Sequence, residues 1–185
     1  LKGLVGRKKL DLIIGGPPCQ AYSIHGRATD KNSMQYDYRN YLFESFCKVV
    51  EAFQPKVFVF ENVRGLLSAK PGGKLVTERI YEAFDRIGYI IRAPKDLQTA
   101  LYDAVDFQVP QNRPRVIILG VKKGEKISLD ELYDAITKEQ SNAPKVTVRE
   151  AIGTLPALYP LEKSIKVGRI TLSHSANPDH SISQH

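Results

Sequence analysis

Residues 10–20 read Leu10-Asp11-Leu12-Ile13-Ile14-Gly15-Gly16-Pro17-Pro18-Cys19-Gln20, and the way this stretch stops sets the reading of the rest. Asp11 to Ile14 is a short strand. Two glycines and two prolines end it, because proline has no N–H to give and restricts the residue before it. From Gln20 to Asp37 the chain is polar, carries Gly26 and shows no sustained period, which reads as a long loop. A loop of that length in a compact domain is either functional or disordered.

Outward from this point, apolar runs alternate with amphipathic ones. Asn40 to Phe53 is a helix: Leu42, Phe46, Val49, Val50 and Phe53 share the spacing of one buried face, and Pro55 marks its end. Val57 to Phe60 has no polar interruption, as in a strand covered on both faces. Lys70 to Lys74 is a turn. Val76, Ile80, Ala83, Phe84 and Ile87 repeat the helical spacing, and Gly88 follows as a cap. Tyr89 to Arg92 and Val116 to Val121 are further strands. This alternation predicts an α/β fold with a parallel sheet and helices on its faces. Such sheets gather their sites at the carboxyl ends of the strands, so Cys19 and Glu61, each just past an apolar strand, are expected to share one crevice. Leu129 to Thr137 is a short helix. Thr147 to Ile152 is another, with Glu150 three residues after Thr147 as in a capping box. From Leu155 onward no clear period is visible.

The 185 residues are 42% hydrophobic, enough for a packed core, and the net charge of +7 with a pI near 9.4 favours an anionic partner such as nucleic acid. There are two cysteines, Cys19 and Cys47, and no CxxC. That gives no support to a disulfide framework or a structural zinc site and suits a reducing compartment. No apolar stretch approaches the roughly 20 residues of a membrane span, and no signal peptide opens the chain. His174, His180 and His185 have spacings that fit no common metal-ligand pair, so no metal site is expected.

Three constellations carry chemistry. A lone cysteine is most often a small buried hydrophobe, the reading that suits Cys47 beside its helix's apolar face. Cys19 differs: it follows a stiff Pro-Pro pair at a strand end and opens a polar loop, which makes a preorganised, reachable thiol. Glu61-Asn62-Val63 follows an apolar strand, where an acid is hard to bury without a partner; the alternative is an exposed carboxylate at a strand end. In Gln111-Asn112-Arg113-Pro114-Arg115 the two arginines alternate and leave the same face of an extended segment. They suit a carboxylate, a phosphate or a base carbonyl, or else a solvated strand end.

Together these residues resemble the DNA cytosine-5 methyltransferase family. Pro18-Cys19-Gln20 is similar to its nucleophile motif, and Asp37-Tyr38-Arg39-Asn40-Tyr41-Leu42-Phe43 to the next. Glu61-Asn62-Val63 with Gly65-Leu66 is similar to the acid motif, and Val109 to Arg115 to the paired-arginine motif. The motifs stand in the family's order over roughly Lys9 to Val121. The family's glycine-rich S-adenosylmethionine loop, the acid that binds the ribose and the late cofactor motif have no counterpart. Gln108 stands where members often have glycine. With Leu1 in place of a starting Met, these departures suggest a fragment. Residues 1–145 are then the catalytic half of a methyltransferase domain, and 146–185 a hinge and the beginning of the target recognition region. The implied fold is a partial doubly wound, Rossmann-like methyltransferase sheet lacking the N-terminal cofactor-loop units.

The resemblance also implies a mechanism. Cys19 adds to carbon 6 of a cytosine flipped out of duplex DNA, which makes carbon 5 nucleophilic. Glu61 serves ring nitrogen 3 and the exocyclic amine, Arg115 the carbonyl oxygen, and Arg113 orients the acid or the loop. Pro18 and Leu42 line the pocket of S-adenosylmethionine, whose site is incomplete here. Gln20, Ser23, His25 and Arg27 contact DNA from the loop, which acts as a lid. The partner is double-stranded DNA, with no membrane, and the complete enzyme is a monomer in a prokaryotic cytoplasm. Competing readings are a tRNA cytosine-5 methyltransferase of the same family and a nucleic-acid-binding piece without turnover. An unrelated cysteine hydrolase needs a histidine base, and His25 alone lies near Cys19 in sequence.

Overall fold

A computed structural model of the chain describes residues 9–18 and 42–155, and the backbone of 159–167 and 170–175. The chain divides into two compact units, Leu1–Lys145 and Val146–His185. In the first, the described elements run β1 (Leu12–Gly15), α1 (Leu42–Phe53), β2 (Val57–Val63), α2 (Val76–Arg86), β3 (Tyr89–Ile91), β4 (Leu101–Asp103), β5 (Pro114–Lys122) and α3 (Leu129–Lys138). Short 3₁₀ turns fill Arg64–Ser68, Pro71–Gly73, Pro94–Ala100 and Ala104–Phe107.

The sheet is mixed rather than parallel. Its order is β1-β2-β5-β3, with β4 also on β5. β1 and β2 are parallel, but β5 runs antiparallel to β2, β3 and β4. A parallel return needs a crossover of about a dozen residues or more, usually a helix. Between β4 and β5 lie a single 3₁₀ turn and a short loop, so the chain reverses beside its predecessor. The apolar run Val116–Val121 fits a strand buried on both faces in either direction, so direction was not in the pattern.

Alternation along β2 assigns the two faces. Phe58 and Phe60 are fully buried on the side of α1 and α2. There Phe58 stacks on Phe84 of α2 at 4.2 Å between centroids, and Phe46 of α1 meets Phe60 edge-on at 5.3 Å. Such pairs add about 0.5–1.5 kcal/mol each beyond the area they bury. Val57 and Val59 face the other way and, with Leu119, Leu132 and Ile136, line an apolar groove of about 460 Å³ beside α3. Both helices end on a left-handed residue: Gln54, an unusual residue for that conformation, follows α1 with φ 48°, and Gly88, which takes it without strain, follows α2 with φ 87°. Cys47, expected to be structural, is buried in α1 and its thiol donates to the Ala83 carbonyl at 3.7 Å.

One edge of β5 is shared. β4 pairs with residues 114–116 and β3 with 120–122, leaving a hole between them. Tyr133 of α3 fills it: its hydroxyl accepts from Leu119 N–H at 3.0 Å and donates to the Ile117 carbonyl at 3.2 Å. Burial pushes this phenol up to about 12, so it keeps its proton at any working pH.

The second unit is described by itself. Its α4 (Val148–Ile152) begins with the expected capping box, Glu150 N–H to Thr147 Oγ1 at 3.2 Å and Thr147 N–H to Glu150 Oε2 at 2.7 Å. An antiparallel hairpin follows, β6 (Tyr159–Val167) with β7 (Ile170–Ser175), where no period had been read. Pro160 and a register shift between Pro160 and Ile165 break the alternation that identifies a strand.

Tyr133→Phe keeps the ring and removes the bridge, leaving a backbone N–H and a carbonyl unpartnered. It is expected to lower unfolding free energy by about 1–3 kcal/mol in chemical denaturation. A loss well under that range means the hole is filled by something else.

Candidate active site

Glu61 lies within β2, not past its end as expected. The strand continues through Val63, and Glu61, Asn62 and Val63 pair with Ile117, Val116 and Arg115 of β5. Arg115 is therefore diagonal to Glu61 on the same face, a separation that long side chains span. Arg115 Nε stands 2.7 Å from Glu61 Oε1, and Arg115 Nη1 donates to the Pro114 carbonyl at 2.9 Å. The Glu61 side chain keeps 39% of its exposure and Arg115 23%, so both remain open to a molecule arriving from solvent.

Asn62 points the other way. It is 1% exposed, on the apolar face with Phe58 and Phe60. A buried amide needs partners: its Nδ2 donates to the Pro17 carbonyl at 3.3 Å, and its Oδ1 accepts from Val63 N–H at 2.9 Å. This ties the Gly-Gly-Pro-Pro turn to β2. Gly16 packs so closely that a Cβ there would sit 2.7 Å from Glu61 Oε2. Neither residue was singled out for a role from the sequence. For Asn62 the signal was available, as an amide two residues beyond buried Phe60 in a strand of period two.

Arg113 is exposed, and it lines with Arg115, Tyr102, Phe107 and Ile117 a pocket of about 210 Å³. The two arginines thus border one pocket. Asp103 ends β4, and its Oδ1 accepts from Arg113 N–H at 2.7 Å and from Val105 N–H at 3.4 Å. Gln108 adopts the left-handed conformation, φ 61° and ψ 21°. Glycine takes that conformation without strain. Cys19, Gln20, Ser23, His25 and Arg27, residues 37–41 of the second motif, and His180 and His185 lie outside the described residues.

A family model described as C-5 cytosine-specific DNA methylase matches residues 5–184. The chain belongs to that family. Among curated methylases, it is 45% identical over 153 residues to the type II methyltransferase M.Bpa9945I of Bacillus paralicheniformis, covering 82% of this chain and 33% of that protein. It is 36% identical over 171 residues to M1.HphI of Haemophilus parahaemolyticus, covering 92% and 41%. A crystal structure of a prophage-encoded E. coli protein, described as a DNA modification methyltransferase, superposes with a TM-score of 0.62 at 28% identity, over 90% of this chain and 41% of that one. The chain thus spans about a third to two fifths of the length of these relatives.

Membership of the methylase family implies S-adenosylmethionine as methyl donor. The described residues fit only part of it. Pro18 is exposed and Leu42 half-buried at the start of α1, which offers apolar surface. Asp11, an exposed acid just before β1, pairs with Lys56 at 2.7 Å. Among the described residues, no helix is long and apolar enough to cross a membrane.

Two outcomes follow for the methylase. Gly16→Ala pushes on the flexible end of Glu61, so thermal unfolding changes little while methyl transfer falls by about tenfold or more, the scale of a misplaced catalytic group. Equal losses in both count against the contact. Burial pushes the Cys47 thiol up to about 11, with the nearby Glu51 carboxylate adding to this and Arg86 opposing. A thiol held neutral does not react. At pH 8 a maleimide is expected to label the Cys19 peptide and spare Cys47 until the protein is denatured. Because the folded value is the raised one, this contribution to stability is whole below about pH 9 and is lost as pH climbs through 11.

Proposed function

We propose that the full-length protein carrying this chain transfers a methyl group from S-adenosylmethionine to carbon 5 of a cytosine in double-stranded DNA. It does so as a monomeric type II restriction–modification methyltransferase, working where that DNA is, in a prokaryotic cytoplasm. The observation that carries the reading is the Glu61–Arg115 pair beside the turn that leads into Cys19. Residues 1–145 form the catalytic half, and 146–185 the hinge and the beginning of the target recognition region.

The chemistry suits this geometry. A cytosine presents its carbonyl oxygen, ring nitrogen 3 and exocyclic amine along one edge. A carboxyl and a guanidinium held side by side match that edge, Glu61 at nitrogen 3 and the amine, Arg115 at the carbonyl oxygen. Cys19 adds its sulfur to carbon 6, and the electron pair of the 5,6 double bond moves to carbon 5. Negative charge spreads toward nitrogen 3 and the carbonyl oxygen, where a proton carried on Glu61 is donated to nitrogen 3 and the Arg115 guanidinium stabilises the oxygen. S-adenosylmethionine supplies the methyl group that carbon 5 takes. Loss of the carbon 5 proton and departure of the sulfur restore the ring. Arg113, exposed at the same pocket, orients the acid or the loop. Gln20, Ser23, His25 and Arg27 contact the DNA once the base has flipped, and Pro18 and Leu42 flank the donor.

Incubation with duplex DNA carrying 5-fluorocytosine and S-adenosylmethionine tests the reading, since fluorine cannot leave as the proton does. The full-length enzyme is expected to form a denaturation-resistant adduct that Cys19→Ser abolishes. Glu61→Gln and Arg115→Ala are expected to slow adduct formation by about a hundredfold to a thousandfold, the scale of removing one preorganised stabilising group. No adduct in the intact enzyme sinks the proposal, and an adduct with tRNA in place of DNA redirects it.

A further inference from the structure

We infer that Asp103 is a positioning residue for Arg115, a role that rests on the reading of Arg115 given above. The argument begins at Pro114. It starts β5 opposite Asp103 and separates Arg113 from Arg115. Proline has no N–H, so the β4–β5 ladder gains no donor from it. The chain just before it, Gln111 to Arg113, is exposed. Beyond Pro114 the strand is secured by its pairing with β2 and β4, but Arg113 precedes the ladder on both sides.

The Asp103 carboxylate supplies what proline withholds. Its Oδ1 takes the Arg113 N–H at 2.7 Å, one residue earlier than the ladder reaches. The same oxygen accepts from Val105 N–H at 3.4 Å, capping the 3₁₀ turn Ala104–Phe107. A weak backbone bond, Ala104 N–H to the Arg113 carbonyl at 3.4 Å, closes the ring of chain between them. One oxygen therefore joins both ends of the 104–113 loop. It fixes the backbone immediately before Pro114, and the proline ring passes that constraint on through its restricted φ. Arg115 then starts from a set direction, from which it reaches Glu61 at 2.7 Å. Hydrogen bonds to an ionised acceptor are stronger than neutral ones, but the geometry asks only for an oxygen, not for a charge.

The test is a double-mutant cycle in the full-length enzyme, read as single-turnover methyl transfer to duplex DNA at saturating DNA and donor, with thermal unfolding alongside. Asp103→Ala is expected to slow transfer by about tenfold to a hundredfold, as a displaced catalytic group does. Asp103→Asn keeps the accepting oxygen and is expected to stay within about threefold of the wild type, the loss expected when a charge-assisted bond becomes a neutral one. Asp103→Ala combined with Arg115→Ala is expected to be no slower than Arg115→Ala alone, since groups acting as a unit are non-additive. Full rate in Asp103→Ala, no recovery in Asp103→Asn, or losses that multiply in the double variant each overturn the inference. If Asp103→Ala does not fold, Asp103→Ser enters the same cycle, because its shorter side chain still caps Val105 but reaches less far toward Arg113. Arg115→Ala at the wild-type rate is a separate outcome: it overturns the active-site reading, and this inference with it.

Discussion

The antiparallel pairing of β2 with β5 is the constraint from which the site follows. Its register sets Glu61 against Ile117 and Val63 against Arg115. That puts acid and base on one face, two positions apart, at the distance a guanidinium covers. In a parallel arrangement of the same strands, the start of β5 would lie at the far end of β2 from Glu61. The reversal of β5 is what brings the Arg113-Pro114-Arg115 segment to the end of β2 that adjoins Gly16.

Within β2, neighbouring residues divide the labour because strand side chains alternate. Glu61 faces the pocket side and Asn62 the aromatic core. The ion pair adds little to stability: pairs this exposed contribute about 0–1 kcal/mol. Its value lies in geometry. The energy that holds the geometry comes from elsewhere, from Phe46, Phe58, Phe60 and Phe84 clamping α1 and α2 to the sheet. A rigid core behind a half-open polar pair holds its carboxyl and guanidinium groups at fixed spacing.

Much of this was readable from residues alone. The helical period of α1 and α2, the cap at Gly88 and the Thr147–Glu150 box each rest on local chemistry and each element formed there, but α1 is rotated from the expected face: it buries Phe43, Cys47 and Val50, while Leu42, Phe46, Val49 and Phe53 flank the core half-buried. Ordered motifs identified the family for the same reason, since Glu61 and the paired arginines are bound to their neighbours in sequence. Strand direction was not readable, because a run such as Val116–Val121 is equally apolar whichever way it lies. Nor was the extent of β2: an acid looked like the end of a strand until β5 supplied its partner. The hole that Tyr133 fills has no trace in the sequence, as it exists only once β3 and β4 divide one edge.

Asn62 holds the turn by a main-chain oxygen, not by a side chain. Every residue type offers that oxygen, so the grip is blind to what position 17 carries, provided the chain can turn there. The amide and the residue it holds need not change in concert. Stiffness of the turn and its attachment to the sheet are thereby separate properties, open to adjustment one at a time as the segment ahead of the thiol diverges.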